Sequence, residues 1–147
     1  MAALLRREDL AFLDEQRVAH LATAGETGRP HVVPVCFARI GERIYVPIDA
    51  KPKRGDPRAL RRLRNLRARP EAALLVDHYE EDWSKLRWLL IYARAVILED
   101  GPEREAALQA LEQRYAQYAA MRLAALGLPV IALQPETVRR WSAHPLT

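Results

Sequence analysis

The residues with the most evident chemistry are nine lysines and arginines crowded between positions 51 and 69. Asp56 is the one acidic residue among them, so this segment carries a net charge of +8 and the rest of the chain carries −4. Like charges at this density repel one another unless an anion neutralises them. Guanidinium groups pair with phosphate oxygens in two parallel hydrogen bonds, and lysines add point charges. The segment therefore predicts a site for a phosphate-bearing ligand, with a solvated charged face as the alternative.

A helix is predicted to present these cations. Asp56 followed by Pro57 is typical of a helix start, because a carboxylate caps free N–H groups and proline suits the first helical position. The predicted helix runs to about Ala68, and Pro70 stops it. Leucines recur along one side at helical spacing, so we expect that side to pack against the protein. Three arginines fall on the opposite face: Arg58, Arg61 and Arg62.

The elements that position this helix are mostly strands. Alternation, β-branched content and turn residues predict strands over 18–23, 30–39, 44–49, 72–78, 86–98 and 130–133, with a further candidate over 138–141. Besides the basic helix, a helix is predicted over 8–16 and a long one from Pro102 to about Leu126. About six antiparallel strands, with helices only at crossovers, predict one α+β domain over residues 1–147 built on a small β-barrel. A doubly wound parallel sheet is disfavoured because no helix separates the first three strands.

Two prolines interrupt the predicted sheet. Pro34 lies midway along the second strand and Pro47 midway along the third. Proline has no N–H to give to a strand ladder, so each marks an edge, a bulge or a gap in pairing. One interpretation is an edge strand protected from aggregation. The other is that the sheet opens here and turns backbone groups towards a bound ligand.

Several function classes are disfavoured by what the chain lacks. It contains no P-loop, GxSxG, HExxH or GxGxxG motif, its four histidines are scattered, and the acidic residues over 77–82 are typical of a solvated loop, so we expect no metal. Aromatic residues do not interleave with the arginines, which argues against nucleic acid. No apolar run approaches the ~20 residues that span a bilayer, and no signal peptide is evident, so a soluble cytoplasmic protein is expected.

No acid–base pair or activated nucleophile can be identified either. Cys36 is the only cysteine, and we expect it to be a small buried apolar residue. If the protein is an enzyme, a cofactor is expected to carry the chemistry while the protein binds and orients it.

Segments spread in order over nearly the whole chain resemble the pyridoxamine 5′-phosphate oxidase-like superfamily of flavin-binding proteins. These are Arg17–Thr23, Gly28–Val35 and Ile44–Asp49. Similarity to its branch that uses the deazaflavin coenzyme F420 comes from Lys51–Lys53, Leu63–Leu66, Leu75–Tyr79 with Asp82–Trp83, Arg114–Tyr118 and Trp141–Ala143.

The resemblance implies a six-stranded split β-barrel that forms a homodimer, with a cofactor site in each cleft between subunits. It implies that the cofactor ring lies between two walls, formed by Pro34, Val35 and Cys36 and by Val46, Ile48 and Asp49. The implied phosphate ligands are Lys51, Lys53, Arg58 and Arg62. Trp83 or Trp88 could cap the ring from the partner subunit.

The resemblance also bears on which cofactor is bound. The Ser/Thr-rich phosphate loop typical of FMN-using members is missing, and lysine and arginine stand in its place. A more basic groove suits F420, whose polyglutamate tail adds negative charge, so F420 is favoured over FMN. The resulting hypothesis is an oxidoreductase that transfers hydride from reduced F420 to a small, electron-poor organic acceptor, with its catalytic residues unknown. The alternatives are an FMN-binding oxidase or reductase and a non-catalytic carrier or sensor of flavin, F420 or haem.

Overall fold

The structure, a computed structural model, describes residues 3–49, 56 and 60–144. Its strands are β1 (Ala19–Ala24), β2 (Pro30–Val35), β3 (Ala38–Ile40), β4 (Arg43–Pro47), β5 (Glu71–His78), β6 (Arg87–Leu98) and β7 (Val130–Ser142). Its helices are α1 (Arg7–Glu15), α2 (Arg61–Ala68), α3 (Pro102–Arg114) and α4 (Ala116–Ala120), with short 3-10 turns at Trp83–Lys85 and Leu123–Leu126. The strands form one antiparallel sheet in the order β2-β1-β5-β6-β7-β4-β3.

The sheet curls until the linked ends of its two edge strands come close together. β2 and β3 are at opposite ends of the strand order, yet only Cys36 and Phe37 separate them along the chain. Three consecutive peptide links span at most about 11 Å. Val35 and Ala38 are therefore near neighbours across the open edge, and we call this opening between β2 and β3 the split. The predicted split barrel is confirmed.

Seven strands are present where six were expected, because the second predicted strand is broken. Residues 30–39 form β2 and β3, and the break falls at Phe37, whose backbone N–H and carbonyl bind the Tyr115 hydroxyl instead of a strand. The last two predicted strands are instead one strand, β7. A bulge between the partners of Tyr92 and Ala93 accommodates Pro135 within it.

The basic helix starts later than predicted. α2 begins at Arg61, so Asp56 is not its N-cap as expected; Leu60 has extended backbone geometry (ψ 144°) and packs against the barrel core. Packing of this partly buried leucine on the core outweighs the local start signal that the sequence carries at positions 56 and 57. The predicted packing face is confirmed, because Leu63 and Leu66 are buried in the core.

The long predicted helix is also shorter, since it ends at Arg114. Tyr115 leaves helical geometry (φ −121°, ψ 113°), which lets its hydroxyl reach Phe37, and α4 then restarts the helix. α3 and α4 cover the outside of β3 and β4 through a cluster that includes Tyr45, Leu111 and Tyr118.

The main core fills the barrel interior. Inward-facing side chains of the strands meet Phe12 and Leu13 of α1 at one end, and Leu63 and Leu66 of α2 pack against them. Each fully buried leucine or phenylalanine contributes about 1.5–3 kcal/mol. This packing fixes α2 on one side of the split, and the cluster around Tyr118 fixes α4 on the other. In the described part of the chain, no helix is both long and apolar enough to cross a membrane.

Candidate functional site

A cavity of about 200 Å³ opens at the split, and we call it the split cavity. Its lining comes from the start of β1, the ends of β2 and β4, α2 and α4: Val18, Pro34, Val35, Cys36, Pro47, Asp49, Arg62 and Tyr118. Five of these residues were predicted as ligands of a cofactor. Distant parts of the sequence therefore meet in one place: the end of β2, the end of β4 and the basic helix.

The two prolines explain why the sheet is open here. Pro34 lies on the edge strand β2, opposite His20 of β1, so the edge interpretation is confirmed for it. Pro47 pairs with Val130 of β7 but lies beyond Tyr45, the last residue of β4 that β3 covers. Each proline lies where a strand has no neighbour on the side of the split. Backbone groups at the split are therefore available to a ligand.

Tyr118 and Asp49 form the polar side of the cavity. The Tyr118 hydroxyl donates a hydrogen bond to Asp49 Oδ2 at 3.2 Å. Burial raises the pKa of the Tyr118 phenol well above its usual value, and the Cys36 thiol and the Asp49 carboxylate raise it further. The phenol therefore stays protonated, as a hydrogen-bond donor, across the physiological range.

Arg62 is the cation that faces Tyr118 and Asp49. Burial lowers the pKa of its guanidinium, while Asp49 and Tyr118 partly oppose that shift. Its Nε is buried and has no hydrogen-bond partner among the described residues. An unmet buried donor costs about 1–3 kcal/mol, and more when the group is charged. The side chain also lines the split cavity, where an anionic ligand would compensate the charge of the guanidinium.

A second opening continues the positive charge along α2. This basic groove, a cavity of about 460 Å³ between the β1–β2 hairpin and α2, includes Arg29, His31 and Arg61 and no acidic residue among its described lining. His31 Nδ1 is buried without a partner among the described residues. Burial lowers the His31 pKa from 6.5, and the charges of Arg62 and Arg61 lower it further. The groove is thus a cationic environment that favours an anion.

Close packing of the hairpin holds α2 in this position. Asn65 of α2 donates a hydrogen bond to the Thr23 hydroxyl at 3.0 Å, and both residues are buried. Gly25 lies directly over Asn65, where any side chain would collide with the Asn65 amide oxygen. The glycine therefore lets α2 approach the hairpin closely enough to bring Arg61 and His31 into one groove.

The other predicted ligands have different surroundings. Val46 and Ile48 point their side chains into the barrel core, while Pro47 and Asp49, on the alternate face, line the split cavity. Trp83 is exposed on the loop after β5, and Trp88 lies on β6 opposite Trp141. Neither tryptophan lines the split cavity of its own chain. Lys51, Lys53 and Arg58 lie outside the described residues.

Sequence reasoning missed the roles of two tyrosines. Tyr115 and Tyr118 fit an apolar helical stripe, but their hydroxyl groups also make hydrogen bonds at the split. The Tyr115 hydroxyl accepts the Phe37 N–H at 3.1 Å and lies 2.9 Å from the Arg17 carbonyl and 3.0 Å from the Phe37 carbonyl. It therefore holds the chain where β2 and β3 separate. Two tyrosines three residues apart, facing the barrel, were the available signal.

The fold and the cavity at its split define the class as the split β-barrels. The family model described as pyridoxamine 5′-phosphate oxidase matches residues 5–142. The chain belongs to this family. No curated protein sequence matches the chain.

Solved structures with the same fold span different ligands. A conserved hypothetical protein of Mycobacterium tuberculosis, Rv2991, is 19% identical with a TM-score of 0.78, over 97% of this chain and 89% of that one. The haem storage protein HutZ of Vibrio cholerae is 22% identical with a TM-score of 0.73, over 95% of each chain. An FAD-binding protein of Mesorhizobium loti is 19% identical with a TM-score of 0.68, over 90% of this chain and 89% of that one. At these identities the likeness establishes the fold alone.

Proposed function

We propose that the protein binds coenzyme F420 at the split and acts as an oxidoreductase, moving hydride between the reduced cofactor and a small organic acceptor. The observation that carries this proposal is Arg62, whose buried Nε lacks a partner among the described residues while it faces the split cavity. Membership of the pyridoxamine 5′-phosphate oxidase family supports a flavin-type cofactor. FMN in the same site is the alternative.

The charge distribution supports F420 over FMN. A single phosphate needs a few donors, but arginines extend from Arg62 through Arg61 to Arg29 along the basic groove, with the neutral His31 ring between them. A ligand with a longer anionic tail would use this whole length. Lys51, Lys53 and Arg58 remain predicted phosphate ligands.

In this proposal the residues of the split cavity bind and orient, and the bound cofactor supplies the hydride chemistry. Pro34, Val35 and Pro47 give apolar walls that exclude water from one side of the ring. Arg62 would offer its guanidinium group to an oxygen of the ring or of the substrate. The Tyr118 phenol holds a proton beside the reacting groups, and Asp49 orients it through their hydrogen bond.

We propose that a second copy of the chain completes this site. The split cavity, at about 200 Å³, is smaller than the roughly 300–1,000 Å³ of typical ligand pockets.

The outer face of the sheet carries an apolar row across four strands, in which Val32, Ala22, Ala73 and Tyr92 are successive neighbours. Val32 is 64% exposed and Tyr92 is 47% exposed. An apolar face of this kind marks an interface, and we propose a homodimer that uses it and brings Trp83 or Trp88 to the neighbouring cleft.

Separate titrations with F420 and with FMN test the cofactor assignment. Arg62→Gln should weaken the cofactor that binds by about 10–100-fold, the scale of a hydrogen bond to a charged group. Arg67→Gln is the matched control, because Arg67 is on the same helix, lies 4.0 Å from Glu99 and lines neither described cavity. Equal affinities in wild type and Arg62→Gln would reject the site.

Relative affinity and turnover separate the alternatives for the cofactor and for the activity, and a third measurement tests the dimer. Tighter binding of FMN than of F420 would replace the cofactor in the proposal. Tight binding without turnover, across enones, quinones and nitroaromatics, would favour a carrier or sensor. Analytical ultracentrifugation of the wild type against Tyr92→Glu tests the dimer, which we expect the buried charge to dissociate. A monomeric wild type would reject the shared cleft.

A further inference from the structure

A third cavity, which we call the arginine pocket, lies where the start of α1 meets the beginning of β6 and the end of β7. Its volume is about 260 Å³, and its lining includes Asp9, Arg87, Arg140 and Trp141. It shares no described lining residue with the split cavity. Neither the fold nor the proposed cofactor accounts for it.

Arg140 is explained by the docking of α1. The Asp9 side chain is 2% exposed and needs compensation for its charge. Arg140 donates to Asp9 Oδ2 from Nη2 at 2.8 Å and from Nε at 3.2 Å. The Arg6 backbone N–H donates to the same carboxylate at 2.8 Å. Asp9 is therefore satisfied, and this ion pair holds α1 against β7.

Arg87 is not explained in the same way. Its guanidinium lies 4.3 Å from the centre of the Phe12 ring, and its side chain is 20% exposed. Towards the described residues it donates one hydrogen bond, from Nη2 to the Glu8 carbonyl at 3.0 Å. The nearest Asp9 oxygen is 4.0 Å away, beyond hydrogen-bond distance. Arg87 is therefore a largely desolvated cation, and one of its five N–H donors makes a hydrogen bond to the described residues.

The surroundings add positive charge. Three arginines line the pocket, Arg6 being the third, against the acids Glu8 and Asp9. The N-terminal end of α1 also faces this corner, and its helix dipole favours an anion there. Since Arg140 neutralises Asp9, the excess cation is Arg87. Trp141, 45% exposed, supplies a flat apolar surface at the rim.

We propose that the arginine pocket binds a small phosphate monoester, with its phosphate on Arg87 and its organic part against Trp141. The Arg140 Nη1 group makes no hydrogen bond to the described residues, so both guanidinium groups can donate to a phosphate. The volume corresponds to roughly nine water molecules, which suits a ligand the size of phenyl phosphate. This proposal is independent of the cofactor assignment.

Calorimetric titration with phenyl phosphate and with inorganic phosphate tests the site. Arg87→Gln should weaken phenyl phosphate binding by at least about 10-fold, as loss of a charge-assisted contact does. Arg94→Gln removes the same charge from the same strand outside the pocket, and we expect binding within about twofold of wild type. Trp141→Phe should weaken phenyl phosphate binding more than inorganic phosphate binding.

The following outcomes would reject the proposal, and Arg87→Lys covers the case in which Arg87→Gln does not fold. If wild type does not bind, or if Arg87→Gln binds as wild type does, the pocket is not an anion site. If Arg62→Gln abolishes binding and Arg87→Gln does not, the phosphate occupies the split cavity. Arg87→Lys keeps the charge and the aliphatic stem; if Arg87→Gln fails to fold, weaker binding by Arg87→Lys supports the forked contact, and unchanged binding rejects it.

Discussion

The arginines that contact the C-terminal end of α1 and Arg62 of α2 are used in opposite ways. The Arg114 guanidinium donates to the carbonyls of Leu13, at 3.1 Å, and Gln16, which are the free acceptors at the C-terminal end of α1. It also lies 4.8 Å from the centre of the Phe37 ring. Arg17 donates to the Arg114 carbonyl at 2.7 Å and lies over the Tyr115 ring. Here the protein itself supplies the acceptors.

Around α2, by contrast, the protein leaves buried side-chain nitrogens unmet. Arg62 Nε and His31 Nδ1 are both buried without partners among the described residues, and neighbouring positive charge lowers the His31 pKa further. The difference separates the two regions: Arg17 and Arg114, which have protein acceptors, stabilise the scaffold, and Arg62, whose buried Nε has none among the described residues, marks a place for a ligand. Variants of the two regions should therefore move different quantities.

The largest effect on stability is expected for Arg114→Ala. It removes the donors that cap α1 and the stacking on Phe37, and it should lower the free energy of unfolding by about 3 kcal/mol. Urea unfolding measures this. Arg39→Ala is the control, because Arg39 pairs with Asp14 of the same helix at 2.6 Å in a partly exposed ion pair, worth about 0–1 kcal/mol. Equal losses in the two variants would show that Arg114 does not cap α1.

Tyr115→Phe should have the next largest effect. The variant keeps the ring and its edge-on packing against Tyr118 but leaves the Phe37 N–H without its acceptor. A buried unmet donor costs about 1–3 kcal/mol. Tyr79→Phe is the matched control, since the Tyr79 hydroxyl reaches only the exposed Glu81 at 3.3 Å. Unfolding midpoints that shift equally would remove the role of Tyr115 at the split.

The sequence predicted most of the sheet because its signals are local. Turn residues, alternation and β-branched runs depend on neighbours within a few positions, and β5 and β6 lie where the pattern indicates. Alternation alone would also have separated Val46 and Ile48, which face the core, from Asp49, which faces the cavity. The resemblance brought the right strand to the site without distinguishing its two faces.

What the sequence could not predict depends on contacts between distant residues. Phe37 and Tyr115 are 78 positions apart, and no local pattern shows that one interrupts a strand by bonding to the hydroxyl of the other. Asp56 and Pro57 form a sound local start signal, but packing of Leu60 on the core moves the start of α2. Asp9 and Arg140 are 131 positions apart, so the arginine pocket exists only in the folded chain.

A smaller effect is expected from the phenol that links β4 to α3. Tyr45 donates to Glu103 Oε2 at 2.7 Å, and burial together with this carboxylate raises the Tyr45 pKa to about 12. The folded state therefore holds the proton more tightly than the unfolded state, whose phenol titrates near 10. This contribution is complete below pH 10 and is lost as the pH rises through 12. Urea unfolding should show a fall of about 1 kcal/mol over that range, reduced by screening at the partly exposed Glu103. The fall should be smaller in Tyr45→Phe; an identical fall would assign it to other groups.

The smallest effect, and the most direct comparison of the two regions, is the titration of His31. Its pKa lies below 6.5 because of burial and then because of Arg62 and Arg61, so folded protein resists protonation and this contribution to stability is lost as the pH falls below 6.5. Arg62→Gln should raise the His31 pKa, and a bound cofactor phosphate should raise it in the wild type, because each reduces the positive charge nearby. Arg114→Ala should leave it unchanged, since Arg114 meets the backbone of α1 instead. Histidine ring resonances followed by NMR would measure all three. If the His31 pKa is the same in wild type, in Arg62→Gln and with the cofactor bound, His31 is not electrostatically coupled to Arg62 or to the cofactor site. The contrast with the α1 region would then fail.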